Sequence, residues 1–497
     1  MIRPHPHLYE INTWPWLEML SRACGRRLTL GTVPDERWDR LRAMGVDLVY
    51  LMGVWRRSAL GRQLARSDKR LHADYDRALP GWRVRDVIGS AFCVVAHEPD
   101  PRVGTWDELD EVREKLHARG MRLMVDFIAN HSAFDHPWVH DHPDRYVRAP
   151  EEAFRRDPSA FRAIEAAGGD IRFIACGRDP FFPPWTDVAQ LDYFNPDTRA
   201  AMIGVLQTIA RHADGARCDM AMLALSDVLS RTWGELVRKP ARSIEFWAEA
   251  RAAVPGFVLL AEVYWDLELR LQQLGFDFTY DKRLYDRLLH GPARDVLSHL
   301  RADGEYHRRS ARFIENHDEE RSVVAFGDRV MPAAVVVSTL PGLRFFHDGQ
   351  LEGRRARLPV QLGVTPDEPV SDRLRAFYDR LLATVSTDVF HDGEWHLLDV
   401  APAGDESHEQ LLAWRWKLDD ELRVVAVNLG DGPAQGHVRL NGDLSAAVEI
   451  FTFEDLLSGN RYPWTRGALE SSGGLYVHLE RGQSHIFAPR PVLMAPG

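Results

Sequence analysis

Short apolar runs rich in β-branched and aromatic residues recur along most of the chain, and between them apolar positions fall at helical rather than alternating spacing. Eight such runs stand out: Leu8–Trp14, Asp47–Trp55, Arg122–His131, Gly215–Ala221, Phe257–Trp265, Phe276–Tyr280, Arg312–Asp318 and Leu343–Gly349. Segments such as Trp106-Asp-Glu-Leu-Asp-Glu-Val-Arg and Asp372-Arg-Leu-Arg-Ala-Phe-Tyr separate or follow them and read as helices. This alternation predicts an α/β fold, a (β/α)8 TIM barrel, whose active site would lie at the carboxyl ends of the strands. From about Val389 the helical spacing gives way to alternating runs, among them Leu411-Leu-Ala-Trp-Arg-Trp and Gly474-Leu-Tyr-Val-His-Leu, which predict an antiparallel β-sandwich. The connection from Ser132 to about Pro196 is long and rich in Pro, Asp and aromatic residues, and connections of that length in a compact fold usually serve function.

Four separated stretches concentrate the candidate chemistry, and each closes an apolar run: Asp126-Phe-Ile-Ala-Asn130-His131, Gly215-Ala-Arg217-Cys-Asp219, Ala261-Glu262-Val-Tyr, and Glu315-Asn316-His317-Asp318. Taken singly, each has an ordinary reading: a carboxylate capping the next helix, an arginine in an ion pair, a histidine satisfied in the core. Taken in order, they resemble the four signature regions of the alpha-amylase family, glycoside hydrolase family 13. Gly45-Val-Asp-Leu-Val-Tyr-Leu-Met, Gln190-Leu-Asp192-Tyr-Phe-Asn-Pro and Gly342-Leu-Arg-Phe-Phe-His-Asp-Gly349 resemble its weaker landmarks, so the likeness covers nearly the whole chain.

The resemblance implies a barrel over 1–131 and 197–388 (domain A), a small inserted domain B over 132–196 after the third strand, and the sandwich over 389–497 (domain C). It also implies retaining cleavage of an α-glucosidic bond, which requires a carboxylate nucleophile and a protonated carboxyl roughly 5 Å apart. Asp219 is then the nucleophile, kept ionised and oriented by Arg217. Glu262 is the general acid and base, its pKa raised by an apolar surround. Asp318 is the third carboxylate, gripping sugar hydroxyls. His131 and His317 would hydrogen-bond the same sugar, Asp126 would brace the cluster, and Phe92 would replace the tyrosine that commonly stacks on the sugar. The resemblance requires no cofactor; a structural Ca2+, where family members hold one, would draw on Asn130 and Asp192. Met222-Leu223 stand where many amylases carry Lys-His after the nucleophile, which counts against classical endo-cleavage of long starch and against calcium.

Composition narrows the partners. A net charge of −11, with no basic block or aromatic-interleaved basic stripe, argues against nucleic acid and suits a neutral α-glucan or small α-glucoside. No apolar run is long enough to cross a membrane and no signal segment is evident at the amino terminus, so the expected location is cytoplasmic. Cys24, Cys93, Cys176 and Cys218 show no CxxC spacing, which predicts neither a disulfide framework nor a zinc site. The histidines His131, His136, His140 and His142 read as a loop rim. Arg344, Arg354, Arg355 and Arg357 read as a salt-bridged loop, pairing with Glu352 and its neighbours, beside the alternative of an anion or phosphate site. The functional readings are therefore a retaining hydrolase, a transglycosylase or phosphate-using glucosyl or maltosyl transferase on the same site, and a non-catalytic carbohydrate-binding barrel.

Overall fold

The computed structural model describes residues 2–237, 244–440, 442–445 and 447–492. Eight parallel strands close a barrel: β1 (His7–Asn12), β2 (Leu48–Met52), β3 (Arg122–Ile128), β4 (Gly215–Asp219), β5 (Val258–Ala261), β6 (Phe278–Tyr280), β7 (Ser310–Arg312) and β8 (Leu343–His347). Each falls within one of the eight apolar runs or overlaps it. Most strands are shorter than the runs, and two differ most at their ends. A helix begins at Thr13, and the last residues of the 312–318 run leave the ladder after Arg312.

Both faces of β2 are buried, which explains its unbroken apolar character. The helix Trp106–His117 starts at a capping box, Thr105 with Glu108, which satisfies two of the orphan N–H groups of its first turn. The helix Val330–Thr339 is apolar all round, as befits its burial between barrel and C-terminal sheets. Trp416 of the sandwich donates its indole N–H to the Thr339 carbonyl at 2.6 Å and so ties the two layers together.

Two additions to the barrel shape the site. A five-stranded antiparallel sheet lies between β3 and β4. Its strand Trp185–Gln190 pairs with His131–Ala133, directly beyond the end of β3. The second addition was not legible as a unit in the sequence. After β2 the chain makes a hairpin of Trp55–Arg57 with Val94–Pro99, which encloses the helices Ala59–Ser67 and Lys69–Ala78. From residue 394 onward, sheets of six and three antiparallel strands enclose their own apolar core around Val424, Val438 and Val477. Among the described residues, no helix is long and apolar enough to cross a membrane.

Candidate active site

Strand alternation puts Arg217 and Asp219 on one face of β4, pointing into the barrel mouth. Arg217 has no solvent exposure, and its Nη1 donates to Asp219 Oδ1 at 2.7 Å. Its Nη2 lies 2.9 Å from Glu262 Oε2 and 3.7 Å from Asp318 Oδ2, so a single guanidinium stands among three carboxylates. The rings of Phe92 and Tyr280 flank it, with centroids 5.2 and 5.8 Å from its central carbon. The other carboxylate oxygen of Asp219, Oδ2, has no hydrogen-bond partner among the described residues.

Glu262 follows β5. Its Oε2 accepts the Met220 N–H at 2.6 Å and its Oε1 accepts the Tyr264 hydroxyl at 2.9 Å. Met220 has a φ of 43°, a left-handed conformation that a non-glycine residue adopts only at a cost, and this turn directs its N–H at Glu262. A cavity of about 490 Å3 opens on the three carboxylates. That is within the range of about 300–1,000 Å3 usual for small-ligand sites.

The three carboxyls differ in their hold on a proton. Burial pushes Glu262 up to about 7; Arg217 opposes this, while Asp219 and Asp318 reinforce it. Burial also raises Asp219 above its ordinary value, against the pull of Arg217, which was expected to keep it ionised. Asp318 goes the other way: burial is outweighed by His317 and Arg217, and it is held well below the usual range. Neighbouring carboxyls driven apart in this way suit one as proton donor and another as a permanent charge.

A ring of buried polar groups beneath holds these residues in place. His317 Nδ1 contacts Glu10 Oε1 at 2.5 Å, and burial, which would lower its pKa, is overcome by Asp318 and Glu10, so the imidazole stays charged. Its Nε2 faces Asp318 at 3.0 Å but at an angle too poor for a hydrogen bond, leaving it free for a sugar hydroxyl. Asp126 accepts from Tyr50 Oη at 2.5 Å and from the Gly53 N–H at 2.7 Å, which ties the end of β3 to β2 and the turn after it. Gly53 has φ 77°, and that turn carries its N–H to the carboxylate. Glu315 accepts from Arg321, from Ser322 and, at 3.1 Å, from His347. Glu10, Tyr50, Tyr264, Tyr280 and His347 were not singled out in the sequence. The one available signal was a charged Glu10 inside the apolar strand Leu8-Tyr-Glu-Ile.

A family model described as the alpha-amylase catalytic domain matches residues 97–273, which include Asp126, His131, Arg217, Asp219 and Glu262. Alpha-amylase MalA of Haloarcula japonica is 24% identical over 414 residues, covering 80% of this chain and 52% of that protein. The alpha-1,4-glucan:maltose-1-phosphate maltosyltransferase of Rhodospirillum rubrum is 22% identical over 485 residues, 90% of this chain and 62% of that one. The maltogenic alpha-amylase AmyB from Thermotoga neapolitana shares the fold, with a TM-score of 0.67 over 99% of each chain at 18% identity. By these matches the chain is similar to the alpha-amylase family, with the family model covering residues 97–273. It spans about half the length of the first curated relatives it matches, 52% and 54%.

Several expectations carried over from the alpha-amylase family need correction. Both ring nitrogens of His131 are occupied: Nε2 donates to the Phe92 carbonyl at 3.1 Å and Nδ1 accepts from the Asn130 amide at 3.2 Å, so His131 presents its ring to the cavity rather than a hydrogen bond. Phe92 does lie at the site, stacked on His317 with centroids 5.2 Å apart. Asn130 and Asp192 do not fit calcium. The Gln190 side-chain amide donates to Asn130 Oδ1, Asn130 O and Leu191 O at 2.8, 3.0 and 3.2 Å, using the oxygens a cation would need. Asp192 Oδ1 is turned to the Phe194 N–H, and no group of three or more His, Cys, Asp or Glu side chains among the described residues is placed to hold a metal. Met222 and Leu223 are buried in an apolar turn.

The arginines separate. Arg344 is fully internal, bonded to the carbonyls of Leu340 and Phe390; Arg355 is exposed; and Arg357 donates to the Asp318 carbonyl at 2.8 Å. Glu352 pairs with Arg40 and Arg375 instead, because helices at either side of the loop bring those cations to it. His136 caps the helix Pro137–Asp141 and His140 bonds the Glu165 carbonyl, which accounts for two of the clustered histidines. The four cysteines are free, and Cys218 is buried.

Proposed function

We propose that the protein is a retaining α-glycosidase of the alpha-amylase family, acting on α-glucans or α-glucosides through a covalent glycosyl-enzyme. One observation carries this reading: Asp219 is held by Arg217 through one oxygen while the other has no partner among the described residues, beside a Glu262 that Arg217 also contacts and that burial pushes up to about 7. The free oxygen attacks the anomeric carbon as Glu262 gives its proton to the leaving oxygen. Glu262 then takes a proton from the incoming water or sugar hydroxyl, whose oxygen displaces Asp219. Asp318 stays ionised beside His317, where both can hydrogen-bond the distorting ring more strongly in the transition state. Bridging of Asp219 and Glu262 by one guanidinium favours the short separation of retaining sites over the roughly 6.5–9.5 Å of inverting ones.

Hydrolysis and transfer share this intermediate and differ in the acceptor. Relatives of both kinds match this chain: an alpha-amylase, and maltosyltransferases named for alpha-1,4-glucan and maltose-1-phosphate. The test is incubation with a panel of α-glucosides, with and without phosphate, with products resolved by chromatography. Released reducing sugar of retained configuration supports hydrolysis, longer glucans support transfer, and a glycosyl phosphate supports phosphate use. No turnover of any α-glucoside refutes the proposal.

A further inference from the structure

At the amino-terminal end of the barrel, opposite the three carboxylates, the strand starts surround a recess of about 1040 Å3. Arg122 opens β3, Asp214 precedes β4, Val258 and Phe278 open β5 and β6, and all four line it. Strand alternation puts Arg122 on the face of β3 that carries Asp126, about 13 Å nearer the amino end. Barrels that hold phosphate usually do so at the carboxyl ends of the strands, so this recess lies at the opposite face from that site.

The recess is cationic in a chain whose net charge is −11. Arg3, Arg113, Arg122, Arg251 and Arg309 line it half-buried, and Arg211 and Arg308 line it exposed. Their carboxylate partners among the described residues are Asp47 for Arg3, Asp214 for Arg113, Asp277 for Arg251, and the one carboxylate of Glu305 for both Arg308 and Arg309. Seven guanidinium groups thus share four carboxylates, leaving three positive charges over. Asp214 is divided further, since His117 contacts its other oxygen at 2.7 Å. The side chain of Arg211 donates only to the Thr208 hydroxyl, and that of Arg122 has no hydrogen-bond or ion-pair partner among the described residues. Arg251 Nε is buried there without a partner. Like charges gathered in one recess repel one another, and a half-buried guanidinium without an anion has given up part of its hydration, so a bound anion offsets both costs.

We infer that this recess binds a small phosphate-bearing anion, with Arg122 and Arg211 supplying the cations that no carboxylate of the described residues neutralises. Guanidinium forks match phosphate oxygens in pairs, and three surplus charges suit a group carrying two or three, where a carboxylate ligand offsets only one. The positive groups face a concavity rather than forming a stripe along the surface, which suits a small molecule over a polymer. The volume exceeds what a phosphate ion needs, and the half-buried Val258 and Phe278 offer apolar area to whatever the phosphate is attached to. The site is separate from the catalytic cavity and stands whether or not the chain is a glycosidase.

The experiment is calorimetric titration of the full chain at about 0.15 M ionic strength, where a Debye length of about 8 Å suppresses loosely attracted ions. The probes are inorganic phosphate, pyrophosphate, glucose 6-phosphate and ADP, with sodium chloride as the blank. Saturable binding of at least one probe is expected. It should weaken at least tenfold in Arg122→Met and at least threefold in Arg211→Ala, and stay unchanged in Arg357→Ala, which alters the opposite mouth beside Asp318. Tighter binding of glucose 6-phosphate or ADP than of the inorganic ions assigns the site to a phosphorylated metabolite, and the reverse order assigns it to the free ions. No saturable binding of any probe overturns the site, as does binding that Arg122→Met and Arg211→Ala leave intact or that Arg357→Ala abolishes. Should Arg122→Met fail to fold, Arg211→Ala, at an exposed position, decides the question alone.

Discussion

Replacing Glu262 with Gln separates the chemistry of its carboxyl from its cost to the fold. The side chain is 4% exposed, and burial lifts its pKa from 4.5 to about 7. A carboxyl raised in the folded state destabilises the fold wherever the unfolded chain would ionise it. The penalty is negligible below the unfolded value, grows above about pH 4.5 and levels off once pH passes the folded value. A difference of about 2.5 units at about 1.36 kcal/mol each limits it to about 3 kcal/mol, nearly all present at pH 8, with about 1 kcal/mol at pH 5. Gln has the same shape. Its carbonyl can accept the Met220 N–H, and its amide can donate to the Tyr264 oxygen, so both contacts survive without the charge.

The variant is therefore expected to be more stable than wild type, by about 3 kcal/mol at pH 8 and about 1 kcal/mol at pH 5, measured by denaturant unfolding followed by tryptophan fluorescence. Its turnover of ordinary glucosides should fall by about 10²–10⁴, the usual worth of a positioned acid. Glycosylation by α-glucosyl fluoride should lose much less, since fluoride leaves without a proton. A stability difference that does not change with pH would refute the electrostatic argument. An equal loss of the glycosylation step on both substrates would make Glu262 structural.

Four further outcomes follow from the same geometry. Asp219→Asn should abolish turnover while leaving sugar affinity and the unfolding transition near wild type; turnover within tenfold of wild type rules out Asp219 as nucleophile. The pH profile of kcat/KM should fall on its alkaline side near pH 7 as Glu262 loses its proton. Tyr264→Phe, which removes a donor that favours the charged form, should move that limb to higher pH, and a shift to lower pH contradicts the role given to Tyr264. Because the Gln190 amide occupies the oxygens around Asn130, neither chelator nor millimolar calcium should move the thermal unfolding midpoint; stabilisation by calcium would show that the amide yields to the ion.

What could be read without the structure was local. Each barrel strand is a contiguous apolar run, and Asp219, Glu262 and Asp318 each sit in a short motif near a strand end, so their identity and order survive in one dimension. Strand alternation was enough to place Arg217 and Asp219 on one face. The rest depended on closure of the barrel. Glu10 reaches His317 across 307 positions, and Gln190 reaches Asn130 across 60, distances over which no sequence pattern relates one side chain to another. The helices inserted after β2 have a composition ordinary for a solvated surface, and Arg344 is a charged residue within β8; only packing decided that Leu64 and Leu71 wall the cavity and that Arg344 lies inside the fold. The division of protons among the three carboxylates belongs to the tertiary structure for the same reason. Desolvation and the distances to Arg217 and His317 set it, and neither exists until the chain has folded.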